Sequence, residues 1–170
     1  MNFYITGLPR SRTAWMSNFF TTDRTFCYHE GVNGCDSIKS YKDRLNMFQY
    51  SHVGDSNTYY PYINLGQNAP IIVILRDIKE VQRSLEVLFG KMDYTPILEE
   101  TRSKLLKLDA LFVQFNDVNN RLEEIWNHCI KDIKFDHKRA NELSKMKVET
   151  IDFNFNLETI NHFKGVLPCL

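Results

Sequence analysis

The chain has no excess of charge. Its 21 Lys+Arg balance 21 Asp+Glu over 170 residues, a net charge of zero. A general binder of nucleic acid or of an anionic membrane is expected to be basic, so neither partner is expected, and an anionic ligand must be held by a local cluster. The four cysteines, Cys27, Cys35, Cys129 and Cys169, form no CxxC pair. They read as reduced thiols of a cytoplasmic protein. Cys27, His29 and Cys35 provide three possible zinc ligands but no fourth at a usual spacing, and no metal is expected. No apolar run approaches the about 18 residues of a membrane span, and no basic segment followed by an apolar one opens the chain, so neither a span nor a signal peptide is expected. Internal repeats and low-complexity linkers are missing too. The length suits one domain, 1–170, with a sizeable core.

The stretch around which the rest is organised is MNFYITGLPRSRTAWMSNFF, residues 1–20. Asn2 to Thr6 is a short run of β-formers. Gly7 to Thr13 breaks any regular pattern, and Trp15, Met16, Phe19 and Phe20 recur as one face of a helix does. Strand, tight basic loop and helix follow in that order. In an open α/β sheet, ligands bind beyond the carboxyl ends of the strands, and a helix start there attracts phosphate or sulfate. Arg10 and Arg12 add planar cationic forks suited to paired anionic oxygens. The loop is not a Walker A sequence, G-x-x-x-x-G-K-[ST]. Counting from Gly7, Arg12 replaces the second glycine, Thr13 the lysine and Ala14 the hydroxyl residue. That disfavours an ordinary ATP or GTP kinase site.

The second informative stretch is Pro70 to Leu85. Ile71–Leu75 is a continuous aliphatic run, as expected of a central parallel strand buried on both faces. Arg76 ends it, and Asp77 is a good N-cap for a helix with Val81, Leu85, Leu88 and Phe89 on its buried face. Arg76 and Ser84 then face one site, from strand end and helix.

Between these stretches, Arg24–Tyr28 predicts a second strand ending at His29 and Glu30, a natural place for a general base. Residues 36–48 predict an amphipathic helix. Tyr50–Val53 predicts a third strand, with a turn at 54–57 in which Asp55 caps the next helix or touches substrate. Residues 95–145 read as a helical insertion, with one apolar stripe running from Leu98 through Leu108 and Phe112 to Phe115, and a second from Val118 to Ile133. Val148 to Phe155 predicts a last strand, and Leu157, Ile160 and Phe163 a last helix. The expectation is a three-layer α/β/α domain with a mostly parallel sheet of about five strands.

Gly7-Leu8-Pro9-Arg10-Ser11-Arg12-Thr13-Ala14-Trp15 resembles the 5′-phosphosulfate loop of sulfotransferases that use 3′-phosphoadenosine 5′-phosphosulfate (PAPS), G-x-P-R-S-G-T-[TS]-[WL]. It departs at Arg12 (usually Gly) and Ala14 (usually a hydroxyl residue). Ile71 to Ser84 resembles the 3′-phosphate motif of the same family, (I/V)-x-(L/V)-x-R-(D/N)-P-x-(D/E)-x-x-x-S. It keeps the Arg-to-Ser spacing and has Ile78 in place of proline. The resemblance, in a small prokaryotic or phage-type form, implies a P-loop-like sulfotransferase architecture. It also implies transfer of a sulfuryl group from PAPS to a hydroxyl or amine, with 3′-phosphoadenosine 5′-phosphate (PAP) as product and no metal. The cofactor-binding residues it implies are Pro9, Arg10, Ser11, Arg12, Thr13, Ala14 and Trp15 at the phosphosulfate, and Arg76 and Ser84 at the 3′-phosphate. Catalysis falls to Arg10, stabilising the leaving phosphate, and to Glu30 or His29 as base. The acceptor is expected to be a small molecule or glycan. Two alternatives stand beside it: a P-loop phosphotransferase acting on a nucleotide or small metabolite, and a non-catalytic nucleotide-binding protein of the same fold.

Overall fold

The computed structural model describes residues 2–63 and 68–146. Five strands, β1 (Asn2–Gly7), β2 (Thr25–His29), β3 (His52–Ser56), β4 (Ile71–Leu75) and β5 (Leu111–Gln114), form one sheet in the order β2-β3-β1-β4-β5. Every neighbouring pair is parallel. The helices are α1 (Thr13–Phe19), α2 (Ile38–Leu45), α3 (Ile78–Phe89), α4 (Thr95–Leu105), α5 (Leu122–Cys129) and α6 (His137–Ser144), with 3-10 turns at Tyr60–Tyr62 and Phe115–Arg121.

The alternation of side chains along each strand splits the core in two. Phe3, Ile5, Ile72, Ile74 and Val113 pack with Trp15, Met16 and Phe19 of α1, Ile125 and Trp126 of α5, and Leu143 of α6. On the other face Tyr4, Val53, Ile71 and Val73 pack with Tyr41 and Leu45 of α2, Val81 and Leu85 of α3, and Leu98 and Leu105 of α4. The result is the expected three-layer α/β/α arrangement. From β1 the chain leaves toward β2, and from β4 it leaves toward β5 on the opposite side. The carboxyl ends of β1 and β4 therefore flank a topological switch point, where ligands of such sheets bind.

Three expectations are corrected. First, β3 runs through Gly54 to Ser56, where a turn is expected. A Cβ on Gly54 would lie 2.2 Å from the Phe3 ring, so the glycine is there to let β1 and β3 approach. Second, Asp55 neither caps a helix nor faces a ligand. It is fully buried, and its carboxylate accepts from the Tyr41 hydroxyl (2.6 Å), Asn57 Nδ2 (2.7 Å) and the Gly31 amide (2.9 Å). Third, the stretch 95–145 is not wholly helical. Leu111–Gln114 is a sheet strand beside β4, too short for its period to show within a longer apolar stripe. The strand and helix expected over 148–163 lie outside the described residues.

Asp55 gives a direct stability prediction. Asp55→Ala leaves three buried donors without their acceptor, so a loss of about 3 kcal/mol or more is expected in urea unfolding. Asp55→Asn, which keeps an acceptor oxygen, should lose less.

Arg139 has no motif around it, yet its guanidinium donates to the carbonyls of Asn18, Phe19 and Thr21, each at 2.7 Å. It donates to carbonyls at and just past the end of α1 and so ties α6 to the helix that follows the basic loop.

Candidate functional site

At the carboxyl edge of the sheet a cleft of ≈ 790 Å³ is lined by Pro9, Arg10, Arg12, Thr13, Ala14 and Trp15, by His29 and Glu30, by Arg76 and Ser84, and by Thr58, Phe115 and the residues around Met146. That volume accommodates a nucleotide-sized ligand. Of the predicted site residues, Ser11 alone is not in this wall. It is fully buried, and its hydroxyl has no partner among the described residues.

Backbone conformation builds the loop. Gly7 closes β1 where a Cβ would stand 2.6 Å from the Ile74 carbonyl, so the loop leaves the sheet pressed against β4. Arg10 and Arg12 both take left-handed backbone, φ 64° and 65°. For a residue with a Cβ that conformation costs about 1–2 kcal/mol, and glycine takes it freely. Arg12 occupies the place where the resembling loop has glycine, and the turn does require positive φ there. Arg12 is also the N-cap of α1 and makes no side-chain capping bond. The Ser56 hydroxyl fastens the start of the helix by donating to the Thr13 carbonyl at 2.8 Å.

The two sequence motifs meet through side chains. Arg10 Nε donates to Ser84 Oγ at 3.1 Å, across 74 positions of sequence. Arg76 Nη1 donates to the Arg10 carbonyl at 2.6 Å, and its Nε to Glu80 at 3.3 Å. Asp77 caps α3 as expected, accepting from the Lys79 and Glu80 amides. The Arg76 guanidinium lies 4.2 Å over the Phe115 ring, and Arg12 lies 5.5 Å from the same ring and 5.6 Å from Trp15. Arg12 Nη1 donates to Asn119 Oδ1 at 2.7 Å. Desolvation and the neighbouring Arg76 charge both act against the Arg12 cation, yet a guanidinium stays protonated in a protein. Three arginines thus face one cleft.

In the same cleft, Glu30 Oε1 accepts from the Thr58 amide (3.3 Å) and hydroxyl (3.4 Å), while Oε2 is buried with no partner among the described residues. Burial raises the Glu30 carboxyl above its ordinary value, against the opposing effect of the Thr58 donors. His29 Nε2 lies 3.4 Å from Thr13 Oγ1 and 3.9 Å from Glu30 Oε1, and burial lowers its pKa below the usual imidazole value. Both candidate bases therefore sit beside the basic loop.

Phe115, Asn119 and Thr58 carry no motif. Phe115 reads in sequence as part of a core stripe; it becomes a cleft wall because β5 ends beside β4 and turns there into a 3-10 segment. Leu88 and Phe89, expected in the core, are instead 52% and 73% exposed at the cleft.

No protein-family profile matches the chain, and no curated protein matches it in sequence. Among solved structures it is similar to mouse sulfotransferase SULT7A1 complexed with PAP, with a TM-score of 0.60 at 13% identity. The match covers 84% of this chain and spans 62% of the length of that one. The fold is thus of the sulfotransferase type. Among the described residues, no helix is long and apolar enough to cross a membrane.

Proposed function

We propose that the protein moves a sulfuryl group from PAPS to a hydroxyl or amine of a small-molecule or glycan-type acceptor. The observation that carries this reading is the direct bonding of the loop motif to the Arg76–Ser84 motif, through Arg10 to Ser84 and Arg76 to the Arg10 carbonyl. The fold shared with a sulfotransferase complexed with PAP supports it. The cleft fits such a ligand: three guanidinium groups face it, and among the described residues only Glu80, at 3.3 Å from Arg76, forms an ion pair with any of them. A cationic cluster offset by one carboxylate at Arg76 alone favours a polyanion.

When bound, PAPS supplies an activated sulfuryl group attached to a good leaving phosphate. Arg10 and Thr13 face the phosphosulfate and offset charge developing on the leaving oxygen. Arg76 and Ser84 hold the 3′-phosphate. Glu30, or His29 beside it, accepts the acceptor's proton. No metal has a role in this scheme.

The test is PAP release from PAPS across a panel of alcohols, phenols, amines and sugars. PAP is expected to form only with a productive acceptor, and equally with magnesium or with chelator present. Release of ADP from ATP-magnesium, with PAPS untouched, would overturn the reading.

A further inference from the structure

Arg12 is the feature that neither the loop motif nor the shared fold accounts for. A glycine would fit its left-handed backbone better, yet a long cation is present. Its side chain does not extend into solvent. It is held at 2.7 Å by Asn119, packed over Trp15, and laid on the same Phe115 ring as Arg76. Two like charges on one ring repel each other, and no carboxylate within ion-pair distance neutralises Arg12 among the described residues. Such an arrangement is stabilised when a dianion sits between the guanidinium groups.

We propose that Arg12 and Arg76 form a two-guanidinium clamp, mounted on Phe115, for the phosphate monoester at the 3′ end of the nucleotide. Arg12 then serves selection of a 3′-phosphorylated nucleotide rather than the phosphosulfate end that the loop motif suggests, and Asn119 is its positioning residue. The assignment rests on the PAPS reading, in which Arg76 holds that phosphate. Two planar forks from different elements, fixed by an aromatic platform and an amide, recognise a phosphate's oxygens from two sides. One arginine does so from one side.

The test compares binding of PAP with that of adenosine 5′-monophosphate, which lacks the 3′-phosphate, by calorimetry. The proteins are the full chain, Arg12→Gly, Arg12→Lys and Asn119→Ala. Glycine takes the left-handed turn without strain, so Arg12→Gly is expected to melt at the same temperature or higher. It should bind PAP roughly 10- to 100-fold more weakly, the size of one lost charge-assisted contact, with adenosine monophosphate affinity unchanged. Arg12→Lys should recover only part of the loss, because an ammonium lacks the fork, and Asn119→Ala should show a smaller loss confined to PAP. If Arg12→Gly binds PAP as the full chain does, or weakens both nucleotides equally, the clamp is overturned while the PAPS reading stands. If the unaltered chain binds PAP no better than adenosine monophosphate, the PAPS reading itself fails, and the clamp with it.

Discussion

Arg76→Ala is expected to weaken PAP binding by roughly 100- to 1000-fold, corresponding to the loss of two charge-assisted contacts. Arg76 does three things in the cleft: it donates to the Arg10 carbonyl at 2.6 Å, lies 4.2 Å over Phe115, and pairs with Glu80. Alanine removes the charge that faces the phosphate and also the bond that fixes the left-handed residue at position 10. Arg76→Lys separates these contributions. It keeps a charge but cannot donate as a fork while stacking on a ring, so a loss of about 10-fold is expected. Calorimetric titration measures both variants. A thermal melt shows whether the sheet is intact, which it should be, since Arg76 lies beyond the end of β4. Unchanged PAP affinity in Arg76→Ala would contradict the assigned 3′-phosphate site.

The second large effect is expected on turnover with little change in binding. Glu30→Gln should lower sulfuryl transfer by roughly 10²- to 10⁴-fold, the usual contribution of a positioned general base. PAP affinity should change little, because among the described residues Glu30 bonds Thr58, lies beside His29 and pairs with none of the three arginines. Glutamine keeps the size of the side chain and an oxygen for the Thr58 donors, so the turn should survive. The sign of the pH dependence follows from the environment. A base acts deprotonated, and burial holds the Glu30 carboxyl above its ordinary range. Activity is therefore lost as pH falls through a midpoint higher than that of an exposed glutamate. Burial moves His29 the other way, below the usual imidazole value, so His29 is neutral at pH 7. Both groups produce an acid-side loss. The decisive result is which substitution removes it: Glu30→Gln should, and His29→Ala should shift it only modestly. The reverse outcome would make His29 the base.

Legibility differed from one part of the chain to another for physical reasons. The elements around residues 2–20 and 71–89 could be read because each combines a strand run, a turn with charged residues, and a helix with a buried stripe. Those local signals agree with one another. Asp77 as a cap and the convergence of Arg10, Arg76 and Ser84 were readable for the same reason. The carboxyl end of β3 reads as a turn in sequence, since glycine and aspartate favour turns in isolation. Here Gly54 admits the Phe3 ring, and Asp55 is satisfied by three donors, two of them distant in sequence, at Tyr41 and Gly31. Tertiary contacts overrode local preference. β5 gives no strand signal in sequence, because four residues beside apolar helices have no distinct period. The platform of Phe115 and Asn119 under Arg12 had no local signal at all, being created by the meeting of the basic loop with the segment after β5. Arg139 belongs with these: its three carbonyl partners lie about 120 residues earlier in the chain.

The measurement that bears most directly on the central claim is calorimetric titration of the purified protein with PAP and with ATP, each with magnesium and with chelator. Tight PAP binding, unchanged by chelator and stronger than ATP binding, is the predicted result. Absence of PAP binding, together with ATP binding that requires magnesium, would contradict the account and point to phosphotransfer instead.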